Sequence, residues 1–110
     1  MAITSTIIGT LAAGGGETFA TTFAGRGSQT KTVGQSGKTY VVYARTWGDS
    51  GAKVEVSGTV LASGNDPTRP GDFEGFGVFP GPVTFSYTAG TLSSAEKSRA
   101  FVFCAETNTF

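Results

Sequence analysis

The chain has no histidine and only one cysteine among its 110 residues. Histidine is the usual proton shuttle near neutral pH and the commonest metal ligand. Without it, the ordinary nucleophile–base triads and most zinc sites cannot be built. A lone cysteine forms no internal disulfide, so the fold has no covalent staple. Charge is scarce too. Eight acidic and eight basic residues cancel, and charged residues are 15% of the chain, against a usual ~25%. No basic stripe is present to neutralise a phosphate backbone, which argues against a nucleic-acid partner. Nor is there a charge run to hold an anionic membrane surface. No apolar run approaches the ~20 residues that span a bilayer. Residues Ile3 to Ala13 are largely apolar, yet the first basic residue is Arg26, so the positive start of a secretory signal is missing.

Strand and turn residues fill the space these absences leave. Seventeen glycines and nine phenylalanines stand among many threonines and valines. A chain of this length makes one domain, residues 1–110, and buries roughly 65% of the surface its unfolded form exposes. Alternating residues mark strands from Glu17 to Phe23 and Val83 to Tyr87, while Thr39 to Trp47, apolar on both faces, suits a central strand, and Ser98 to Ala105 sets Ala100, Val102 and Cys104 opposite Phe101 and Phe103. Thr30 to Val33 and Phe73 to Phe79 are shorter or glycine-interrupted candidates. Lys53 to Leu61 reads as one strand, paired with the strand before it through a hairpin at Gly48-Asp49-Ser50-Gly51. Ile3 to Leu11 reads as a further strand or an extended N-terminal arm (residues 1–13), followed by the flexible break Gly14-Gly15-Gly16. Thr91 to Lys97 is the one candidate helical turn, with Ser93 or Ser94 as its cap. About seven or eight short strands with turns between them predict an all-β fold, an antiparallel β-sandwich or jelly-roll-like barrel.

Apparent motifs dissolve on inspection. Gly34-Gln35-Ser36-Gly37-Lys38-Thr39 resembles the end of a phosphate-binding loop, but Thr32 stands where that pattern needs glycine. The loop also leads into the strand-like Tyr40-Val41-Val42-Tyr43 instead of a helix N-terminus. A hairpin turn is the better reading. Asn65, Asp66, Asp72 and Glu74 could offer oxygen ligands to calcium, but two prolines and Arg69 interrupt them, and a solvated loop is expected. Asp72 and Glu74 as a glycosidase pair lack the placement across a sugar bond that such chemistry needs. A terminal Phe110 alone does not make an outer-membrane barrel. Cys104, inside Phe101-Val102-Phe103-Cys104-Ala105, is expected to be a small core residue. No catalytic residue, metal ligand or cofactor site is assigned, and no enzymatic activity is expected.

The aromatics remain. Most of Tyr40, Tyr43, Trp47, Phe73, Phe76 and Phe79 should pack the core. Phe73 and Phe76 lie on opposite faces of one strand, so both cannot meet a single dry layer. One should meet solvent or a partner. Together with Ile3, Ile7, Ile8 and Leu11 of the N-terminal arm, they form the candidate interface set.

A short threonine- and glycine-rich chain, a Met-Ala-Ile-Thr start without a signal, and the missing catalytic residues are the relevant features. In this style the chain resembles small β-rich virion proteins of tailed bacteriophages, such as capsid decoration (cement) proteins. The resemblance implies a sandwich seated on a capsid lattice, often as a trimer. It further implies a major capsid protein or other virion subunits as partners, and assembly in the host cytoplasm. A carbohydrate- or receptor-binding sandwich using Trp47 and neighbouring aromatics, in a tail or baseplate, is the alternative.

Overall fold

A computed structural model describes residues 17–92 and 97–107. These form eight strands: β1 (Thr18–Ala24), β2 (Ser28–Val33), β3 (Thr39–Gly48), β4 (Lys53–Val56), β5 (Thr59–Ser63), β6 (Gly71–Pro80), β7 (Val83–Thr88) and β8 (Arg99–Glu106). All pairings are antiparallel, in two sheets ordered β1-β8-β3-β6 and β2-β7-β4-β5.

The order has a simple origin. β1 pairs with β8, β2 with β7, β3 with β6, and β4 with β5. The chain is thus one long nested hairpin with its tip between β4 and β5. Rolling that hairpin up adds the β3-β8 and β4-β7 pairings and splits it into two sheets. This is the jelly roll, two Greek keys in eight strands. At the tip, Ser57 and Gly58 both take positive φ, 48° and 87°. A two-residue hairpin loop of this mirror-image kind needs such angles, and glycine adopts them without steric penalty.

The tip corrects the expected strand from Lys53 to Leu61. The Ser57-Gly58 turn divides it, and the register shifts between Val54 and Glu55. Val54 and Val56 face the core, whereas Val60 pairs with Glu55 on the outer side and is 50% exposed. The strand before it, β3, is also not its partner: β4 pairs with β5 and β7 in the other sheet. Residues 48–51 therefore cross between sheets. Residues 34–38 cross likewise from β2 to β3 and do not close a hairpin. The expected helical turn from Thr91 to Lys97 falls mainly on residues 93–96, outside those described, as does the strand or arm from Ile3 to Leu11.

Both sheets contribute to one core. Phe23, Val42, Ala44, Val102 and Cys104 meet Val54, Val56, Val83, Phe85 and Tyr87. Phe23 and Tyr87 stack across the layer with ring centroids 5.6 Å apart. Each such large side chain contributes roughly 1.5–3 kcal/mol on burial. Cys104 is fully buried, and burial pushes its thiol up to about 11. Folded protein is expected to resist a thiol reagent and to react once denatured, with Cys104→Ala costing about 1 kcal/mol. Fast labelling of the native state would contradict the core placement.

Candidate functional site

The outer face of the β1-β8-β3-β6 sheet carries the most unusual surface. Alternation along β3 sends Tyr40, Val42, Ala44 and Thr46 inward, all fully buried. Val41, Tyr43, Arg45 and Trp47 therefore point outward. The registers arrange the outward side chains in four cross-strand rows, from β6 through β3 and β8 to β1. The rows are Val78-Val41-Ala105-Thr18, Phe76-Tyr43-Phe103-Ala20, Glu74-Arg45-Phe101-Thr22 and Asp72-Trp47-Arg99-Ala24.

Two rows are almost wholly apolar. Val41, Phe101, Phe103 and Ala105 form a second hydrophobic cluster outside the main core. Tyr43 bridges Phe76 at 5.1 Å and Phe101 at 6.2 Å between ring centroids. At the β6 edge this strip opens to solvent, with Phe76 44% and Val78 63% exposed. These two are among the most exposed large apolar side chains of the described residues. The outer face of the other sheet is the opposite in character. Ser28, Thr30 and Thr32 of β2 pair with Thr88, Ser86 and Thr84 of β7, and Lys53 and Glu55 of β4 extend the rows.

The other two rows mix charged with aromatic and small residues and border a groove of about 410 Å³ lined by Thr22, Ala24, Arg45, Asp72, Arg99 and Phe101, among others. Arg45 donates from Nε to both carboxylate oxygens of Asp72, at 2.9 and 3.1 Å, and from a terminal nitrogen to Oδ2. These bonds hold the Asp72 carboxyl below its ordinary range, against the weaker upward push of burial. Glu74 accepts from the Tyr43 hydroxyl at 2.7 Å. Burial first, and this bond second, push the Tyr43 hydroxyl up to about 12. Asp72 and Glu74 thus serve two separate partners. No three acidic or cysteine side chains among the described residues are placed to hold a metal. Asp66, the other acid of the expected loop, accepts from the backbone and hydroxyl of Thr68.

Two further carboxylate sites are structural. Lys38, from the phosphate-loop lookalike, bridges Glu17 at 3.0 Å and Glu106 at 2.9 Å. Tyr40 and Gln35 also donate to Glu17. The Lys38 bond, with Tyr40 and Gln35 outweighing burial, lowers the Glu17 carboxyl. Lys38, Tyr40 and Gln35 thus converge on Glu17, and Glu106 shares the lysine. Asp49 is buried and accepts backbone N–H bonds from Gly51, Thr91 and Leu92. Burial pushes its carboxyl up, but these donors prevail and the net shift is downward.

Of the candidate interface set, Phe76 lies in the exposed strip. Phe73 is half-buried on the side of β6 shared with Phe79, which packs on the core. Ile3, Ile7, Ile8 and Leu11 lie outside the described residues. Sequence reading named Tyr43 and Phe76 among aromatics that could line an interface but missed Val78, Phe101 and Phe103 as members of the same surface. The signal was present in β3, whose two sides are both apolar, but assigning the outer side required the neighbouring strands. No protein-family model, curated protein or solved structure matches the chain.

Proposed function

We propose that this protein is a structural subunit of a virion that decorates and stabilises a capsid surface through apolar and backbone contacts. The observation that carries the reading is the open strip of Phe76 and Val78, continuous with Tyr43, Phe101 and Phe103. Its partner would be a major capsid protein or another virion subunit, and the subunit itself would be oligomeric. The jelly roll also occurs among capsid domains, which supports the reading by analogy of fold alone.

The surface supplies affinity by removing apolar area from water, not by ion pairing. Association with particles should therefore hold nearly constant between low and moderate salt. Gradient sedimentation of the protein with candidate capsids measures this directly. Phe76→Asp should abolish co-sedimentation, since it places a charge where a dry contact forms. Co-sedimentation that survives Phe76→Asp, or that collapses on adding salt, would count against the reading.

A second reading rests on the groove. Trp47 sits between Asp72 and Arg99 in its row, and those two neighbours line the groove together with Arg45 and Phe101. An aromatic beside guanidinium and carboxylate groups suits a saccharide or receptor ligand. A saturable change in Trp47 fluorescence on glycan titration would favour this module; a flat titration would leave the assembly reading in place.

A further inference from the structure

We infer that the groove beside β1 and β8 is a binding site for a carboxylate-bearing saccharide, with Arg99 as the group that takes the carboxylate. The inference rests on the saccharide reading above and deepens it. It makes no use of the strip of Phe76 and Val78.

The groove follows from the sizes of the outward side chains. β1 sends out Thr22 and Ala24, while β8 sends out Phe101 and Arg99 and β3 sends out Arg45 and Trp47. Two small residues beside large ones leave a trough on the β1 side of the sheet. Its volume of about 410 Å³ falls within the roughly 300–1,000 Å³ usual for small-ligand sites. Its lining residues belong to strands, not loops, so the ladder of the sheet fixes their spacing.

Two guanidinium groups and one carboxylate line the trough, from Arg45, Arg99 and Asp72. Arg45 is tied to Asp72 through Nε and a terminal nitrogen. Glu74, the other carboxylate of these rows, lies on β6 and accepts from Tyr43. Arg99 is different. Its guanidinium is exposed and makes no hydrogen bond or ion pair among the described residues. Asp72 is not free to serve it, because Arg45 engages both carboxylate oxygens. The backbone of Arg99 is held in place, since its carbonyl accepts from the Thr46 hydroxyl at 3.1 Å. The lining therefore carries one positive charge in excess, on a chain whose net charge is zero. A planar guanidinium matches a carboxylate with paired N–H donors. A dianion such as phosphate would meet repulsion from the ionised Asp72, so a single carboxylate fits better.

The rest of the lining suits a sugar ring. Phe101 is half-buried and packs on the buried Tyr43, with ring centroids 6.2 Å apart. A ring fixed in this way offers an apolar surface to the C–H face of a sugar. Thr22 lies opposite Phe101 in register and carries a hydroxyl that both donates and accepts, as sugar hydroxyls do. An acidic peptide would satisfy Arg99 but has no C–H face and hydroxyls for Phe101 and Thr22.

Isothermal titration calorimetry tests the site. The probes are a glucuronate-containing tetrasaccharide and its methyl ester, which lacks the charge. The acid is expected to bind at least roughly tenfold more tightly than the ester, and to weaken as salt is raised. Arg99 has no partner to lose, so Arg99→Gln should fold as the parent does and lose that tenfold preference. Lys31→Gln removes the same charge from β2, an edge strand of the other sheet, and should keep it. Ala24→Phe fills the trough with both arginines in place and should abolish binding. Equal affinity for acid and ester would overturn the inference and leave a neutral-glycan module standing. Heat from neither sugar would end both readings of the groove. A preference that survives Arg99→Gln, binding that survives Ala24→Phe, or a tetraglutamate peptide that binds as tightly as the acid sugar would also overturn it.

Discussion

Replacing Asp49 with alanine is expected to lower the unfolding free energy by about 3–5 kcal/mol. The carboxylate sits at the β3–β4 crossing and binds the start of the segment between β7 and β8. It accepts from Gly51 at 2.8 Å, from Thr91 at 2.9 Å and from Leu92 at 2.8 Å. Bonds to a charged acceptor contribute about 1.5–3 kcal/mol each, and deletion would leave three donors without an acceptor. Relief from burying a charge offsets part of that sum. Asp49→Asn keeps the shape and one carbonyl, and should cost less. The pH dependence has a definite sign. The folded carboxyl titrates below its unfolded value of ~3.9, so its contribution is full above that value and is lost as pH falls through the folded one. Urea unfolding of both proteins at neutral pH and in acid measures the gap. It should narrow in acid; a gap unchanged by acid would show that the charge is not its source.

Gly75→Ala is expected to cost about 3 kcal/mol or more. β5 and β6 belong to different sheets, and they approach closely where the sandwich shuts at this side. A Cβ on Gly75 would lie 2.0 Å from the carbonyl oxygen of Leu61. Backbone cannot swing aside as a side chain does, so the two edges must part. Gly77 is the control on the same strand. Its added Cβ would meet the Phe79 ring at 2.6 Å and a Leu61 methyl at 3.2 Å, both able to rotate. In thermal unfolding, Gly75→Ala should fall by roughly 10 °C or more and Gly77→Ala by clearly less. A Gly75→Ala midpoint within about 2 °C of the parent would show that the seam is not tightly closed.

Both positions were invisible to a sequence reading for the same reason. Asp49 sat in a stretch that looked like a solvated hairpin, and its three donors come from residues two and some forty positions away. Gly75 looked like an interruption between two phenylalanines. Its role depends on Leu61, which reaches it through a different sheet. Lys38 likewise read as an exposed turn residue until Glu17 and Glu106, from opposite ends of the described chain, closed around it.

What the sequence determined by itself was local. Period-two alternation marked β1 and β7 and put Phe19 and Phe23 on one face of β1, while short runs apolar on both faces marked β3 and β8. The threonine, valine and glycine content made the fold all-β, and the apolar run around Cys104 placed that thiol inside. These features need only the geometry of an extended chain and its turns. Tertiary structure alone decided the partners. A strand's pattern does not say which strand it pairs with, so the break at Ser57-Gly58 and the move of β4 into the second sheet appeared only in the nested pairing. Nor does alternation say which side is dry when both sides are apolar. On β3 and β8 the choice fell to the sheet that closes over them, which took Val42 and Val102 into the core and left Tyr43 and Phe101 facing outward beside the exposed Phe76.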